Sequence, residues 1–299
     1  MIRLTEVTKR FGAITAVDRL SLQVEQGEIF GLVGPDGAGK TTVMRLLTGI
    51  MEPCAGQIEV LGRKMLEENK ADIGYVPQKF SLYGDLTVRE NICLMGALYG
   101  AGREEVARRA GELLAFTKLL SFQDRLAEHL SGGMRQKLAL AAGLIHRPRL
   151  FFLDEPTTGV DPVSRREFWQ ILYRLHREGM TVFLSTPYME EAELCSRVAF
   201  MQQGRIVACD TPAGLKKAYP HHVLELPAAG KRLAQHLKNC PIMEINAFGD
   251  KYHLIVDQPA RVIPLITAAL QQAGLPPVPP VEIPPTLEDV FVTLASEVV

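Results

Sequence analysis

The sequence contains a segment with the composition and spacing of a phosphate-binding loop, GPDGAGKTT, which runs from residue 34 to residue 42. It fits GxxxxGK[ST] and lies between a strand-like run and a helix-like run. Its glycines permit backbone angles that aim consecutive N–H groups at one point, where phosphate oxygens bind. The lysine is expected to bridge the β- and γ-phosphates, and the first threonine to ligate Mg²⁺. The predicted nucleotide-contacting residues are Gly34, Asp36, Gly37, Ala38, Gly39, Lys40, Thr41 and Thr42.

Two acidic residues end the apolar run FFLDE, at the point where a buried strand would leave the core. Asp154 is placed to hold Mg²⁺ through water, and Glu155 to orient or activate an attacking water. The alternative is a pair of solvated acids at a strand end. A third acid, Asp36, lies inside the phosphate loop, and its side chain is expected to point outward because a carboxylate beside phosphates is unfavourable.

A second anion-binding feature is LSGGMRQ, which runs from Leu130 to Gln136. Ser131 and the backbone N–H groups of Gly132 and Gly133 are expected to cap a helix N-terminus, a position that favours anions. The alternative is an ordinary helix cap without a ligand.

The elements that must position these residues alternate between strand and helix. The runs EIFGLVG, LFFLDEP and MTVFLSTP predict buried strands, and residues 165–177 have helical spacing. This pattern is typical of an α/β core. Residues from about 87 to 142 are rich in Leu, Ala, Glu and Arg, which predicts a helical insertion. We therefore expect one α/β domain over residues 1–219.

The composition changes after residue 219, which predicts a small α+β domain over residues 220–299. HHVLEL and DKYHLIVD predict strands, and KRLAQHLKN and ARVIPLITAALQQAG predict helices. PPVPPVEIPP is too rich in proline for a regular helix or a central strand, and it is expected to be extended. A terminal helix is predicted after Thr286, its candidate N-cap.

Composition excludes several functional classes for this chain of 299 residues. Its net charge of -1 argues against a general nucleic-acid binder, and so predicts no nucleic-acid partner. Five cysteines without a CxxC pair predict reduced thiols in a cytosolic protein. The first residues lack the apolar core of a secretory signal, and no apolar stretch reaches the roughly 18 to 20 residues that span a bilayer. Work at a membrane would therefore require a membrane-embedded partner.

With these motifs in this order, residues 2–215 resemble the ATPase subunits of ATP-binding cassette (ABC) transporters, for which LSGGMRQ is the family signature. The resemblance implies a P-loop NTPase core with a helical subdomain, ATP and Mg²⁺ as cofactors, and a head-to-tail dimer with a second ATPase subunit. In that dimer the tip bearing Ser131, Gly132 and Gly133 faces the γ-phosphate bound by the other subunit. Both a homodimer and a heterodimer are compatible with the sequence.

Further site residues follow from the same resemblance. Phe11 matches the aromatic residue that stacks on adenine, and Asp161 in TTGVDP matches an aspartate that acts across the dimer interface. Gln78, at the end of YVPQ, matches the glutamine that contacts Mg²⁺ and the attacking water. The resemblance thus implies catalytic roles for Glu155, Gln78 and Lys40, and metal contacts by Thr41, Gln78 and Asp154.

One position departs from the family pattern. In LSTPYMEEAE, Pro187 stands where the family has a switch histidine that contacts the γ-phosphate. Proline has neither a side-chain donor nor a backbone N–H. By analogy with an oxyanion-hole donor, losing this contact would cost about 3 to 4 kcal/mol, or roughly 10²- to 10³-fold in rate. The hypothesis is firm ATP binding with slow hydrolysis.

The type of cassette is suggested by GPDGAGKTT with QKFSLYGDLTVREN and by the tail PPTLEDVFVTL, which resemble the ATPases of multidrug- and lipid-export systems. This resemblance implies an exporter subunit at the cytoplasmic face of the inner membrane, bound to a separate permease and not itself inserted. Leu82, Tyr83 and Leu86 are candidate permease contacts, and the alternative is that they pack internally. The alternative is a non-transport ABC protein that acts as an ATP-dependent switch on a soluble complex. Two cassettes in one chain, a long coiled-coil insertion or a basic surface would favour that alternative, and none is visible.

Overall fold

A computed structural model describes residues 1–64, 67–227 and 233–296. The chain divides by its internal contacts into two compact units, Met1–Thr211 and Pro212–Val299. In the described part, no helix has both the length and the apolar character needed to cross a membrane. The five cysteines all lie within this part and are free thiols.

The first unit mixes strands and helices, which confirms the α/β class. Its elements in chain order are β1 (Ile2–Phe11), β2 (Ile14–Val24), β3 (Ile29–Val33), α1 (Lys40–Leu47), β4 (Ala55–Val60), β5 (Arg63–Lys64), β6 (Ile73–Val76), α2 (Val88–Leu98), α3 (Arg103–Phe116), α4 (Gly132–Leu144), β7 (Leu150–Asp154), α5 (Pro162–Arg177), β8 (Thr181–Thr186), α6 (Met189–Ala192), β9 (Arg197–Gln202) and β10 (Arg205–Asp210).

A six-stranded sheet in the order β10-β9-β3-β8-β7-β6 forms the centre of this unit. Strands β3, β6, β7, β8 and β9 pair in parallel, and β10 is antiparallel at the edge. Every residue of β3, β7 and β8 is buried, as expected for parallel strands covered on both faces. The carboxyl ends of β3, β8, β7 and β6 therefore lie side by side at one edge of the sheet, where ligands of such folds bind.

A second sheet, antiparallel and ordered β2-β1-β4-β5, packs its apolar face into the same core as α1 and the central sheet. Side chains such as Val7 and Val17 meet Phe30, Leu32 and Met44 there, and all five are buried. This packing holds the start of α1, and thus the loop before it, against the sheet edge.

The helices α2, α3 and α4 lie in the segment where the sequence predicts a helical insertion. A separate cluster that includes Val88, Ile92, Leu114 and Leu138 forms their core. Thr87 begins α2 with a capping box, in which its hydroxyl accepts from the Glu90 N–H and the Glu90 carboxylate accepts from the Thr87 N–H. The three helices therefore form a small packed body, which we call the helical subdomain.

The second unit contains a four-stranded antiparallel sheet with helices. Its elements are α7 (Pro212–Ala218), β11 (His222–Pro227), α8 (Leu233–His236), β12 (Glu244–Phe248), β13 (Lys251–Val256), α9 (Pro259–Gln272), β14 (Val281–Ile283) and α10 (Leu287–Ser296), with the strand order β12-β13-β11-β14. The proline-rich segment supplies β14 at an edge of this sheet, where its missing N–H groups are tolerated. The Thr286 hydroxyl accepts from the Asp289 N–H at 3.2 Å, which caps α10.

Two sequence expectations differ from the structure in their bounds. The sequence places the domain boundary after residue 219, whereas the contacts place it after Thr211, because α7 packs against α10 of the second unit. Lys231 and Arg232 at the start of one predicted helix, and residues 297–299 at the end of another, lie outside the described residues.

Candidate active site

The phosphate loop follows β3 and requires its glycines at two close approaches. A Cβ on Gly34 would lie 2.2 Å from the Met201 carbonyl oxygen, and a Cβ on Gly39 would lie 2.3 Å from that of Ala16. Gly39 also has φ +106°, and Gly37 has φ +80°. Residues with a Cβ atom rarely adopt these backbone angles, whereas glycine does so readily. The backbone can therefore curl around an anion at the start of α1.

Lys40 begins α1 and is buried in this loop. Its Nζ donates to the carbonyl oxygens of Gly34 at 2.8 Å and Pro35 at 3.0 Å. It also lies 3.2 Å from Glu155 Oε1, and both side chains are almost fully buried. Asp36 is exposed, which agrees with the expectation that its side chain points outward. The loop thus brings one cation to the end of β7.

Asp154 ends β7 with its carboxylate inside the protein. Oδ1 accepts from the Ser185 hydroxyl at 2.5 Å and from the Thr41 hydroxyl at 3.3 Å. Oδ2 is buried and has no hydrogen-bond partner among the described residues. Burial raises the pKa of the Asp154 carboxyl above its ordinary value, and the bonds from Ser185 and Thr41 oppose this shift.

These observations fit a magnesium ion. An orphaned carboxylate oxygen beside a threonine hydroxyl supplies hard oxygen ligands, and Mg²⁺ is commonly bound by one or two carboxylates together with substrate phosphates. In the described ranges no cluster of three or more histidine, cysteine, aspartate or glutamate side chains is arranged to hold a metal.

Glu155 has the most constrained backbone of the site residues. Its φ of +47° lies in the left-handed region, which costs a non-glycine residue about 1 to 3 kcal/mol and recurs at active sites. Its N–H donates to the Ser185 carbonyl at 3.1 Å and to the Ser185 hydroxyl at 3.0 Å. Oε2 accepts from Gln78 Nε2 at 2.8 Å and from the Thr158 hydroxyl at 3.4 Å. Strand β8 thus holds the backbone, while Gln78 and Lys40 hold the carboxylate.

The burial of Asp154 leads to a stability prediction. Because its pKa is raised in the folded state, the protonated carboxyl stabilises the protein at low pH, and this contribution is lost as the pH rises through the folded-state pKa. At pH 7 we therefore expect Asp154→Asn to raise the melting temperature of the first unit by about 2 to 4 °C, equivalent to about 1 kcal/mol.

Calorimetry at several pH values checks this prediction. The difference between wild type and Asp154→Asn is expected to shrink as the pH falls toward the ordinary aspartate pKa. Asp36→Asn is the matched control, because Asp36 is an exposed acid of the adjoining loop. A lower melting temperature for Asp154→Asn at pH 7 would contradict the prediction.

The LSGGMRQ segment forms the predicted helix tip. Ser131 is the N-cap of α4, and its hydroxyl accepts from the Met134 N–H at 3.3 Å. Ser131 and Gly132 are exposed, whereas Gly133 is buried against α5, with its Cβ position only 2.4 Å from Ser164 Cβ. Gly133 therefore packs the start of α4 against α5, while the exposed Ser131 and Gly132 leave the positive N-terminal end of α4 accessible to an anion.

The sequence and the fold of this chain are similar to those of known proteins. Residues 17–158 match the family model described as ABC transporter. The Nod factor export ATP-binding protein I of Rhizobium sp. (strain N33) is 37% identical over 300 residues, which cover 99% of this chain and 97% of that protein. The chain belongs to the ABC transporter family.

Other ABC proteins with similar sequences carry drug-related names. The probable multidrug ABC transporter ATP-binding protein YbhF of Escherichia coli (strain K12) is 40% identical over 219 residues, 72% of this chain. The chain spans only 38% of the length of that relative. The linearmycin resistance ATP-binding protein LnrL of Bacillus subtilis (strain 168) is 37% identical over 219 residues, also 72% of this chain.

Solved ABC cassettes share the fold of the first unit. A dimeric post-hydrolysis structure of the ATP-binding cassette MJ0796 bound to ADP and Pi matches with a TM-score of 0.65 and 28% identity, over 71% of this chain and 98% of that chain. The cbiO1 cassette of Clostridium perfringens matches in fold, with a TM-score of 0.68 and 23% identity, over 73% of this chain and 90% of that chain. The first unit accordingly has the fold of an ATP-binding cassette.

Two of the ABC positions named from sequence lie at exposed points of the cassette. Phe11 ends β1 and is 47% exposed, with Lys9 Nζ 5.5 Å from its ring centroid. Asp161 is exposed at the N-cap of α5, where its carboxylate accepts from the Ser164 N–H at 2.9 Å. Hydrogen bonding to Ser164 lowers the pKa of Asp161 below its ordinary value.

Pro187 follows β8, and β8 lies between β3 and β7 in the sheet. The preceding residue, Thr186, accepts at its carbonyl from the Gly34 N–H at 3.3 Å, and the Tyr188 N–H donates to the Thr186 hydroxyl at 3.1 Å. Pro187 is therefore held between the phosphate loop and the acid pair of this ABC cassette.

Sequence reasoning did not identify two residues that position the acids. Ser185 contacts both Asp154 and Glu155, and Thr158 contacts Glu155. Ser185 belongs to the same LSTP run as Pro187, so its position near the site could have been noticed in the sequence. It becomes informative only once β8 is known to lie beside β7.

Proposed function

We propose that this chain is the ATP-hydrolysing subunit of an ABC exporter and works with a separate membrane permease. The observation that carries this proposal is the meeting of four adjacent strand ends. They bring Lys40 and Gln78 each into contact with Glu155, which directly follows Asp154 in the chain.

ATP binding is assigned to the phosphate loop and to Phe11. The N–H groups of residues 34–42 and the positive end of α1 bind the phosphates, and Lys40 neutralises the β- and γ-phosphates. The exposed ring of Phe11 is available to stack on adenine. Thr41, Asp154 and Gln78 would hold Mg²⁺, which supplies charge neutralisation of the phosphate oxygens.

Glu155 is the general base in this proposal. Its carboxylate accepts the proton of a water molecule that attacks the γ-phosphorus, and Gln78, hydrogen-bonded to that carboxylate, helps to orient the water. The strained Glu155 backbone is held by Ser185, and this contact positions the base.

ABC cassettes work as dimers with membrane permease components. For this chain we propose that Ser131, Gly132 and Gly133 bind the γ-phosphate of the partner subunit's ATP, and that Asp161 acts across the same interface. The exposure of Ser131, Gly132 and Asp161 supports this assignment, because a residue used between subunits must be accessible in one subunit.

Export is proposed from the relatives. The Nod factor export protein aligns over both units of this chain, and LnrL is named for resistance to linearmycin. The ATPase would then act at the cytoplasmic face of the inner membrane as a peripheral subunit. The transported compound contacts the permease, so its identity is a property of that partner.

The proposed permease contact centres on Tyr83. Tyr83 is 55% exposed, whereas Leu82 is half-buried against the helical-subdomain core and Leu86 is also half-buried. Of the three candidates from sequence, only Tyr83 therefore presents a large exposed surface. The fully buried Asn91 holds this loop, because its side-chain amide bonds both the N–H and the C=O of Tyr83 at 2.9 Å.

We expect Tyr83→Ser to reduce the amount of chain bound to its permease by at least about 10-fold, as for a buried aromatic interface residue. ATP affinity is expected to stay unchanged, because Tyr83 lies outside the nucleotide site. Membrane fractionation and equilibrium ATP binding measure the two effects. Ile50→Ser, a change at another exposed apolar residue, is the control. Full retention of Tyr83→Ser in the membrane fraction would remove this contact from the proposal.

Fractionation of the native host tests the exporter assignment itself. The chain is expected in the membrane fraction with a permease and is expected to leave that fraction when the permease gene is deleted. Recovery in a soluble complex, independent of any permease, would instead support the ATP-dependent switch named above as the alternative.

A further inference from the structure

A buried carboxylate outside the ATP contacts lies next to Pro187. Glu191 of α6 is only 1% exposed. One of its carboxylate oxygens, Oε1, accepts from the Thr157 hydroxyl, and the other, Oε2, accepts from the Thr186 hydroxyl at 2.6 Å. A carboxylate that is removed from water needs such partners, so these bonds define its place in the fold.

The two hydroxyls belong to different strand ends. Thr157 lies two residues after Glu155, in the segment that follows β7. Thr186 is the last residue of β8 and directly precedes Pro187. Glu191 therefore connects the segment after Glu155, through Thr157, with the segment that contains Pro187, through Thr186.

Arg165 is a third residue that contacts the Glu191 carboxylate. Its Nε lies 3.7 Å from Glu191 Oε1, and its guanidinium stacks 4.8 Å from the ring centroid of Tyr188. Arg165 is on α5, the helix that Asp161 caps. The stretch from Thr157 to Arg165, which includes Asp161, is thus held to Glu191 at both of its ends.

We propose that Glu191 is a positioning residue that holds the Thr157–Arg165 segment and the end of β8 in one fixed arrangement, so that ATP hydrolysis depends on it. This inference rests on the proposed roles of Glu155 and Asp161. Pro187 has no N–H and no polar side chain with which to hold its own loop. The loop is held by its neighbours Thr186 and Tyr188, and Glu191 connects them to the other segment.

Isosteric variants test the bridge without leaving the Glu191 carboxylate entirely unpaired. Thr157→Val and Thr186→Val each remove one hydroxyl. Each is expected to lower kcat about 10-fold, a cost typical of a lost contact within a coupled network, with the KM for ATP nearly unchanged. The double variant is expected to lose less activity than the product of the two single losses, because both changes act on the same bridge. Glu178→Gln is the control, since Glu178 is an exposed acid at the end of α5.

Hydrogen exchange supplies a readout that needs no turnover. In Thr157→Val, the bridge predicts faster exchange in residues 186–191 as well as in residues 157–165. Faster exchange confined to residues 157–165, or multiplicative losses of kcat in the double variant, would overturn the inference. If the proposed function is wrong, the wild-type chain will neither bind nor hydrolyse ATP. The hydrogen-exchange result does not depend on ATP, so it still tests whether Glu191 connects the two segments.

Discussion

Glu155→Gln is expected to lower steady-state ATP turnover by about 10² to 10⁴-fold, the range that a general base contributes. Glutamine has nearly the same shape, so the bonds from Gln78 and Thr158 to the side-chain oxygen can persist. It cannot accept the proton of the attacking water. The loss is therefore expected in kcat, not in ATP affinity.

The same variant separates binding from chemistry. ATP-induced dimerisation should persist and last longer in Glu155→Gln, because the bound ATP is not consumed. Phosphate release and light scattering after size-exclusion chromatography measure the two properties on one sample. Glu178→Gln, which removes the charge of an exposed acid at the end of α5, is the control. Turnover equal to that of wild type would remove Glu155 from the mechanism.

Pro187→His is expected to raise kcat by about 10² to 10³-fold, equivalent to about 3 to 4 kcal/mol of transition-state stabilisation. The position lies between the phosphate loop and the acid pair, held by the contacts of Thr186 with Gly34 and Tyr188. A histidine there adds a donor for charge that develops on the γ-phosphate. Because such a donor acts mainly in the transition state, KM for ATP is expected to change much less than kcat.

Two further variants make the Pro187 result interpretable. Pro187→Ala restores the backbone N–H without a side-chain donor, so its kcat should remain at the wild-type level. Glu155→Gln combined with Pro187→His should be inactive, because the histidine does not replace the base. An unchanged rate in Pro187→His alone would mean that this cassette does not use a donor at the switch position.

The wild-type rate then distinguishes the two forms of dimer. Turnover clearly above that of Glu155→Gln would mean that a homodimer tolerates Pro187 and can power transport alone. ATP binding and dimerisation without turnover, together with rescue by histidine, would indicate a degenerate site that requires a complete partner cassette.

The sequence alone predicted the α/β class, the phosphate loop, the acid pair and the helix tip at Ser131. Each of these features depends on contiguous residues, because glycines, caps and strand ends act on their own local backbone. Family membership followed from the same segments. The roles of Phe11, Gln78 and Asp161 remain predictions.

Only the tertiary structure decided which of these segments meet. Along the chain the order is β3, β6, β7, β8, but in the sheet it is β3, β8, β7, β6, and this places Ser185 and Pro187 between the phosphate loop and the acid pair Asp154 and Glu155. The contacts of Glu191 and the partial burial of Leu82 arise in the same way. The physical reason is that strand order and core packing come from contacts between distant residues, which local sequence patterns do not contain.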